Sequence, residues 1–182
     1  MHPIASITCA ISVLAAAGMA QGSFGPTGGD NLFSIGGSIG KTSIDTSGGD
    51  FDQTNFNLQA SVGRFLTDVH EVGVSLGENY SKIDPPSGGS TDSISTTIAG
   101  YYNYNFRTSP RTWFYAGAHL GFYIADQNND TDTSIAIGIH GGVRHWLTQN
   151  AAIFAEPRLT RSELSGDTVT TNEIIFGYSL VL

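Results

Sequence analysis

From residue 31 to the end of the chain, apolar and polar side chains take turns along the sequence. The segment 55–63 sets Phe56, Leu58, Ala60 and Val62 against Asn55, Asn57, Gln59, Ser61 and Gly63. The closing segment, Ile174 to Leu182, sets Ile174, Phe176, Tyr178, Leu180 and Leu182 against Gly177 and Ser179, with Glu173 on the polar parity just before it. Successive side chains of a strand point to opposite faces, so this period of two predicts strands. Comparable runs at Leu32–Ser43, Glu71–Tyr80, Ser93–Phe106, Thr112–Ala125, Thr133–Trp146 and Ala151–Thr160 bring the predicted total to eight. No stretch beyond residue 30 carries the 3.6-residue apolar stripe of a helix.

The connections alternate as well. Ile44–Gln53, Ser81–Asp92, Asp126–Asp132 and Arg161–Thr170 are polar and acidic, whereas Thr67–His70, Arg107–Arg111 and Leu147–Asn150 are tight. Long connections at one end and short turns at the other are what a meander threaded through a membrane produces. The pattern therefore predicts an all-β fold, a closed antiparallel up-and-down transmembrane barrel of eight strands. Pro157 cannot donate to a ladder, so a bulge or a rim position is expected there.

Alternation does not say which face meets lipid; composition does. Charged residues make up 13% of the chain, about half the share of a soluble protein. The polar parity reads Ser34, Gly36, Ser38, Gly40; Gly73, Ser75, Gly77, Asn79; Gly117, His119, Gly121. A surface in water would be roughly a quarter to a third Lys, Arg, Glu and Asp. Small residues suit the narrow lumen of an eight-stranded barrel. Ile35, Leu58, Val62, Val74, Ile98, Leu120, Ile137, Ile139 and Ile153 would then face hydrocarbon. Phe33, Phe56, Tyr80, Tyr104, Phe106, Phe114 and Phe176, near strand ends, would form interfacial girdles. A soluble periplasmic, lipocalin-like ligand-binding barrel is the alternative, with its greasy side turned inward.

The N-terminus reads as a signal peptide over residues 1–20. An uncharged apolar run from Ile4 to Ala17 precedes the small-x-small triplet Gly18-Met19-Ala20, and the run is too short to span a bilayer. Residues 21–30 are expected as a flexible lead-in to a barrel at 31–182. The only cysteine, Cys9, lies in this signal segment, so a cleaved chain would have no disulfide, thiolate metal site or cysteine nucleophile. The net charge of −8 argues against nucleic acid.

Candidate chemistry collects on the inward parity: Glu71, His119, His140, Arg144, Glu156, Arg158 and Glu173. A simple hairpin tip within Asp126–Asp132 would set His119 directly opposite His140. Counting across Leu147–Asn150 places Arg158 beside His140, and Glu173 next to Arg158. Buried charges must be paired, so the cluster is read as a polar plug filling the lumen. Two histidines beside an arginine make a poor cation site, and no metal or cofactor is expected. The long connections hold ten acidic residues against Lys82 and Arg161, a balance of −8 equal to the net charge of the whole chain. Solvated loops are the plain reading of that excess. Asn128-Asn129-Asp130-Thr131-Asp132 lacks the Gly and Glu of a calcium loop.

The run Gly141-Gly142-Val143-Arg144-His145-Trp146-Leu147-Thr148-Gln149-Asn150, followed by Ala155-Glu156-Pro157-Arg158-Leu159, resembles the penultimate hairpin of the OmpA-like small outer-membrane barrels. Ile174 to Leu182 is similar to their final strand, although Leu182 stands where the family has Phe or Trp. The resemblance implies a bacterial outer-membrane location, loops outside, both termini in the periplasm, and no single activity. It leads us to expect a monomer whose partner is outer-membrane lipid, with extracellular binding through the acidic loops as the alternative. Lipid A deacylase barrels carry a His and a Ser close in sequence. Here His119 is followed by Leu120-Gly121 and His140 by Gly141-Gly142, and neither G-x-S-x-G nor H-E-x-x-H occurs. No catalytic residue is expected.

Overall fold

The computed structural model describes the backbone of residues 24–46, 49–83, 91–127, 130–164 and 167–182; the expected signal peptide lies outside the described residues. Eight strands follow one another: β1 (Asn31–Thr46), β2 (Gly49–Phe65), β3 (His70–Ile83), β4 (Thr91–Arg107), β5 (Thr112–Gln127), β6 (Asp130–Trp146), β7 (Ala151–Leu164) and β8 (Asp167–Val181). Each pairs antiparallel with the next, and β8 returns to β1, closing the barrel. Closure leaves no backbone edge without a partner, the condition for crossing hydrocarbon with strands.

The alternation sorts as the composition argument requires. Val74 (62% exposed), Leu120 (59%) and Ile139 (63%) stand on the outer surface. Ser34, Ser38, Gln59, Ser75 and Asn103 are buried on the inner one. Glycines on the inner parity make room for large neighbours. A Cβ at Gly73 would overlap the Tyr101 ring, and one at Gly138 the His119 ring. The glycine-rich polar parity is thus the complement of a few bulky inward residues.

Three features differ from the pattern-based reading. First, three of the four acidic segments expected as long connections are largely strand. β1 and β2 stay paired out to Thr46↔Gly49, β5 and β6 to Gln127↔Asp130, and β7 and β8 to Leu164↔Asp167. The strands run 14 to 17 residues, well beyond the roughly 9–11 that cross a bilayer. Past the membrane both faces meet water, so backbone pairing continues while the hydrophobic contrast that reveals it disappears.

Second, the β5–β6 hairpin turns earlier than its acidic segment implies. His119 is opposite Gly138, and His140 opposite Gly117. The two histidines are therefore diagonal neighbours on the same face, not direct partners.

Third, β7 accepts Pro157 without a bulge. His140↔Arg158 and Val143↔Ala155 keep one register, and pairing lapses only between them, opposite Gly141 and Gly142. Pro157 is exposed on the lipid side, so its missing N–H costs one rung and displaces nothing.

The turns Leu66–Val69, Thr108–Arg111 and Leu147–Asn150 form one end of the barrel, and the lead-in segment runs across it. Expected as flexible, residues 24–30 are held there. Gly25 N donates to Gln149 O (3.0 Å), Gly29 N to Phe65 O (2.7 Å) and Gly28 N to Asp68 Oδ1 (2.9 Å). Arg107 reaches the Pro26 carbonyl at 2.9 Å. Gly25 has φ +81°, and a Cβ there would lie 2.7 Å from the rings of Trp113 and Trp146. Only glycine fits on both counts.

Candidate functional site

The lumen is built in layers, each set by inward-pointing residues at matching heights on several strands. At the short-turn end lies an apolar floor of Leu32, Phe65, Trp113, Trp146 and Ala152, with Phe24 and Val181 packed against it. Trp113 and Trp146 meet edge to face at 5.4 Å, and Phe65 meets Trp113 at 6.5 Å. Such pairings add to the area that these rings bury. From the rim, the Arg107 guanidinium covers Trp113 at 4.4 Å.

Above the floor sits an ion pair. Arg144 Nη1 is 2.8 Å from Glu71 Oε2, with side-chain exposures of 5% and 0%. Glu71 also accepts from Tyr101 Oη (2.9 Å) and Asn103 Nδ2 (3.3 Å). Arg144 donates to Asn105 Oδ1 (3.1 Å) and lies over the Tyr115 ring at 4.4 Å. This density of partners is what a buried charge pair needs. β3 and β6 are not neighbours in the sheet, so the pair spans the lumen.

A second pair lies further in. Arg158 Nη2 and Nε approach Glu156 Oε1 at 2.6 and 3.0 Å, while Tyr115 Oη donates to Glu156 Oε2 at 2.8 Å. Arg158 Nη1 crosses to Gln59 Oε1 on β2. Arg158→Ala is therefore expected to lower unfolding stability by about 3–5 kcal/mol by stranding Glu156. Urea unfolding followed by the heat-dependent gel shift checks this, and an unchanged midpoint would refute the buried pairing.

Asn103 links the ion pair to the histidines. Its amide nitrogen donates to Glu71, so its oxygen accepts, and His140 Nε2, at 2.6 Å, carries a proton. With His140 neutral, its Nδ1 accepts from His119 Nδ1 across 3.3 Å, and His119 Nε2 accepts the Thr160 hydroxyl at 2.9 Å. The network assigns both tautomers and leaves neither imidazole a free lone pair for a metal. Glu173 is in register with Arg158, but its carboxylate turns to Ser38 Oγ (2.7 Å) and Asn57 Nδ2 (2.9 Å).

All seven inward residues read from the sequence thus point into one lumen. His119, His140, Glu71 and Arg144 share one network; Glu156 and Arg158 form another; Glu173 stands apart. The sequence reading missed Tyr101, Tyr115, Asn103 and Asn105, which complete the networks with Gln59 of the polar parity, and the tryptophan floor. Their shared parity was the available signal, since Trp113 and Tyr115 alternate in step with Gly117 and His119. Between the layers a cavity of ≈ 20 Å³, bounded by Tyr101, Tyr115, Arg144 and Arg158 among others, has room for about one water.

A closed cylinder that is apolar outside and hydrogen-bonded inside is a transmembrane β-barrel of the outer-membrane kind. The chain matches the family model "Outer membrane protein beta-barrel domain" over residues 6–181, and it belongs to that family. Its location is the bacterial outer membrane. Similar solved structures include Neisserial surface protein A (21% identity, TM-score 0.63, covering 81% of this chain and 96% of that one). OprG from Pseudomonas aeruginosa has 12% identity and a TM-score of 0.56, covering 87% of this chain and 98% of its own. Ail from Yersinia pestis has 16% identity and a TM-score of 0.51, covering 84% and 99%. At these identities the likeness is one of fold. No curated protein sequence matches the chain.

Proposed function

We propose that this protein is a non-enzymatic structural and surface-exposed barrel whose lumen is plugged, admitting at most water and small ions. The observation that carries the reading is the layered seal, with the Glu71–Arg144 pair standing directly above the Trp113–Trp146 floor. Ions crossing it would have to displace both buried tryptophans and a buried ion pair. The lumenal histidines are engaged with Thr160, Asn103 and each other. The one hydroxyl–imidazole contact of that set, Thr160 with His119, lies inside the barrel, away from lipid head groups.

Planar-bilayer recording tests the seal. The purified protein is expected to give no large, long-lived conductance steps, and steps of porin size would overturn the reading. Ail was solved with the heparin analogue sucrose octasulfate. The −8 balance of the long connections here opposes a sulfated polyanion of that sort.

A further inference from the structure

Among the described residues the buried carboxylates are Glu71, Glu156 and Glu173, and the guanidiniums that meet two of them are Arg144 and Arg158. Two pairs form and one carboxylate is left over. Glu173 is 8% exposed, and among the described residues its contacts are neutral donors, Ser38 and Asn57. A buried anion whose direct contacts are neutral is costly, because hydrogen bonds to neutral groups offset only a fraction of its desolvation.

A second, independent observation lies beside it. Because Asn57 gives its amide nitrogen to Glu173, its Oδ1 points elsewhere, and that oxygen is buried with no partner in the protein. Asn79, directly across the β2–β3 ladder from Asn57, also has a buried, unpartnered Oδ1. Ser81, on the same face of β3, has an unpartnered Oγ and is 3% exposed. Buried acceptors of this kind are rare in folded proteins and call for water or an ion. Next to the Asn57 amide is Gly77, where an added Cβ would sit 3.5 Å from Oδ1 in ordinary van der Waals contact, so the missing side chain leaves a methyl-sized space beside that oxygen.

We infer that the extracellular half of the lumen holds one alkali cation, bound through oxygen by Glu173, Asn57 and Asn79 with water completing its shell. The inference rests on the plugged-barrel reading, because the seal below makes this half a blind chamber entered from outside. An all-oxygen donor set excludes soft metals. One carboxylate balances one positive charge, and Arg158, in register with Glu173, disfavours a divalent ion. The −8 balance of the long connections raises the local cation concentration.

The test compares thermal unfolding of the purified protein in sodium chloride and in choline chloride at equal ionic strength, since choline is too large to enter. The wild-type midpoint is expected about 2–4 °C higher in sodium. Glu173→Gln should raise the choline value and abolish the difference. Asn79→Ala, which leaves the Glu173 hydrogen bonds intact, should shrink it and serves should Glu173→Gln fail to fold. In crystals soaked with rubidium, an anomalous peak is expected beside Glu173. Equal wild-type midpoints in the two salts, or a sodium effect that survives Glu173→Gln, would overturn the site. The conductance measurement is read separately, so a leaky barrel and a missing cation site are distinguishable failures.

Discussion

Replacing Arg144 with alanine should be among the most damaging single changes in this barrel. Glu71 has no exposed side-chain surface and would keep only Tyr101 and Asn103 as partners. Removing one member of a buried pair typically costs about 3–5 kcal/mol, because the remaining charge is neither solvated nor matched. Glu71→Gln combined with Arg144→Met should be far milder, since no charge is then stranded. Urea titration with boiled-versus-unboiled gel migration would report both. If Arg144→Ala unfolds at the wild-type concentration, water reaches Glu71 and the sealed lumen is wrong.

Truncation of the floor should be comparably severe and should add a new property. Trp146 is fully buried between Trp113 and the lead-in at Gly25. Large-to-small changes of a buried aromatic cost about 3–5 kcal/mol, the more so where the neighbourhood cannot collapse, and a strand-walled cylinder collapses poorly. Trp146→Ala is therefore expected to lower stability by that amount and, in the fraction that assembles, to produce small conductance steps absent from the parent. A Trp146→Ala barrel as silent as the parent would assign the seal to the Glu71–Arg144 layer alone.

The outer face was readable in advance because lipid imposes a one-sided rule. Val74, Leu120 and Ile139 stand out against serine and glycine neighbours, and parity alone places them. The register of β6 with β7 was also readable, since a four-residue turn leaves little freedom, and Arg158 falls beside His140 as counted. Where the rule lapses, so does legibility. Beyond the bilayer both faces are polar, so the strand extensions of β1, β5 and β7 looked like loops. A hairpin tip in a uniformly polar stretch has no marker, which is why the histidine pairing was off by two positions.

The Glu71–Arg144 pair was illegible for another reason. It joins strands three apart around the wall, and hairpin counting reaches only the adjacent ladder. Aromatic residues were ambiguous because tryptophan and tyrosine suit a membrane interface and a packed interior equally well. Tyr101 and Tyr102 make the point, one turned to Glu71 inside and the other to His70 outside.

The seam between β1 and β8 carries a consequence for assembly. Every other ladder joins strands adjacent in the chain, but this one brings together its two ends, as Ser38 with Glu173 (135 positions apart) and Ser34 with Ser179 (145 apart) show. Hairpins can form early and locally, whereas this joint must wait until the whole meander has been laid down. Two side-chain clasps at the joint, both facing the axis, form only when the first and last strands meet in the correct alignment. They act as a late proofreading step, in which a slip of one residue would turn both clasps outward into lipid.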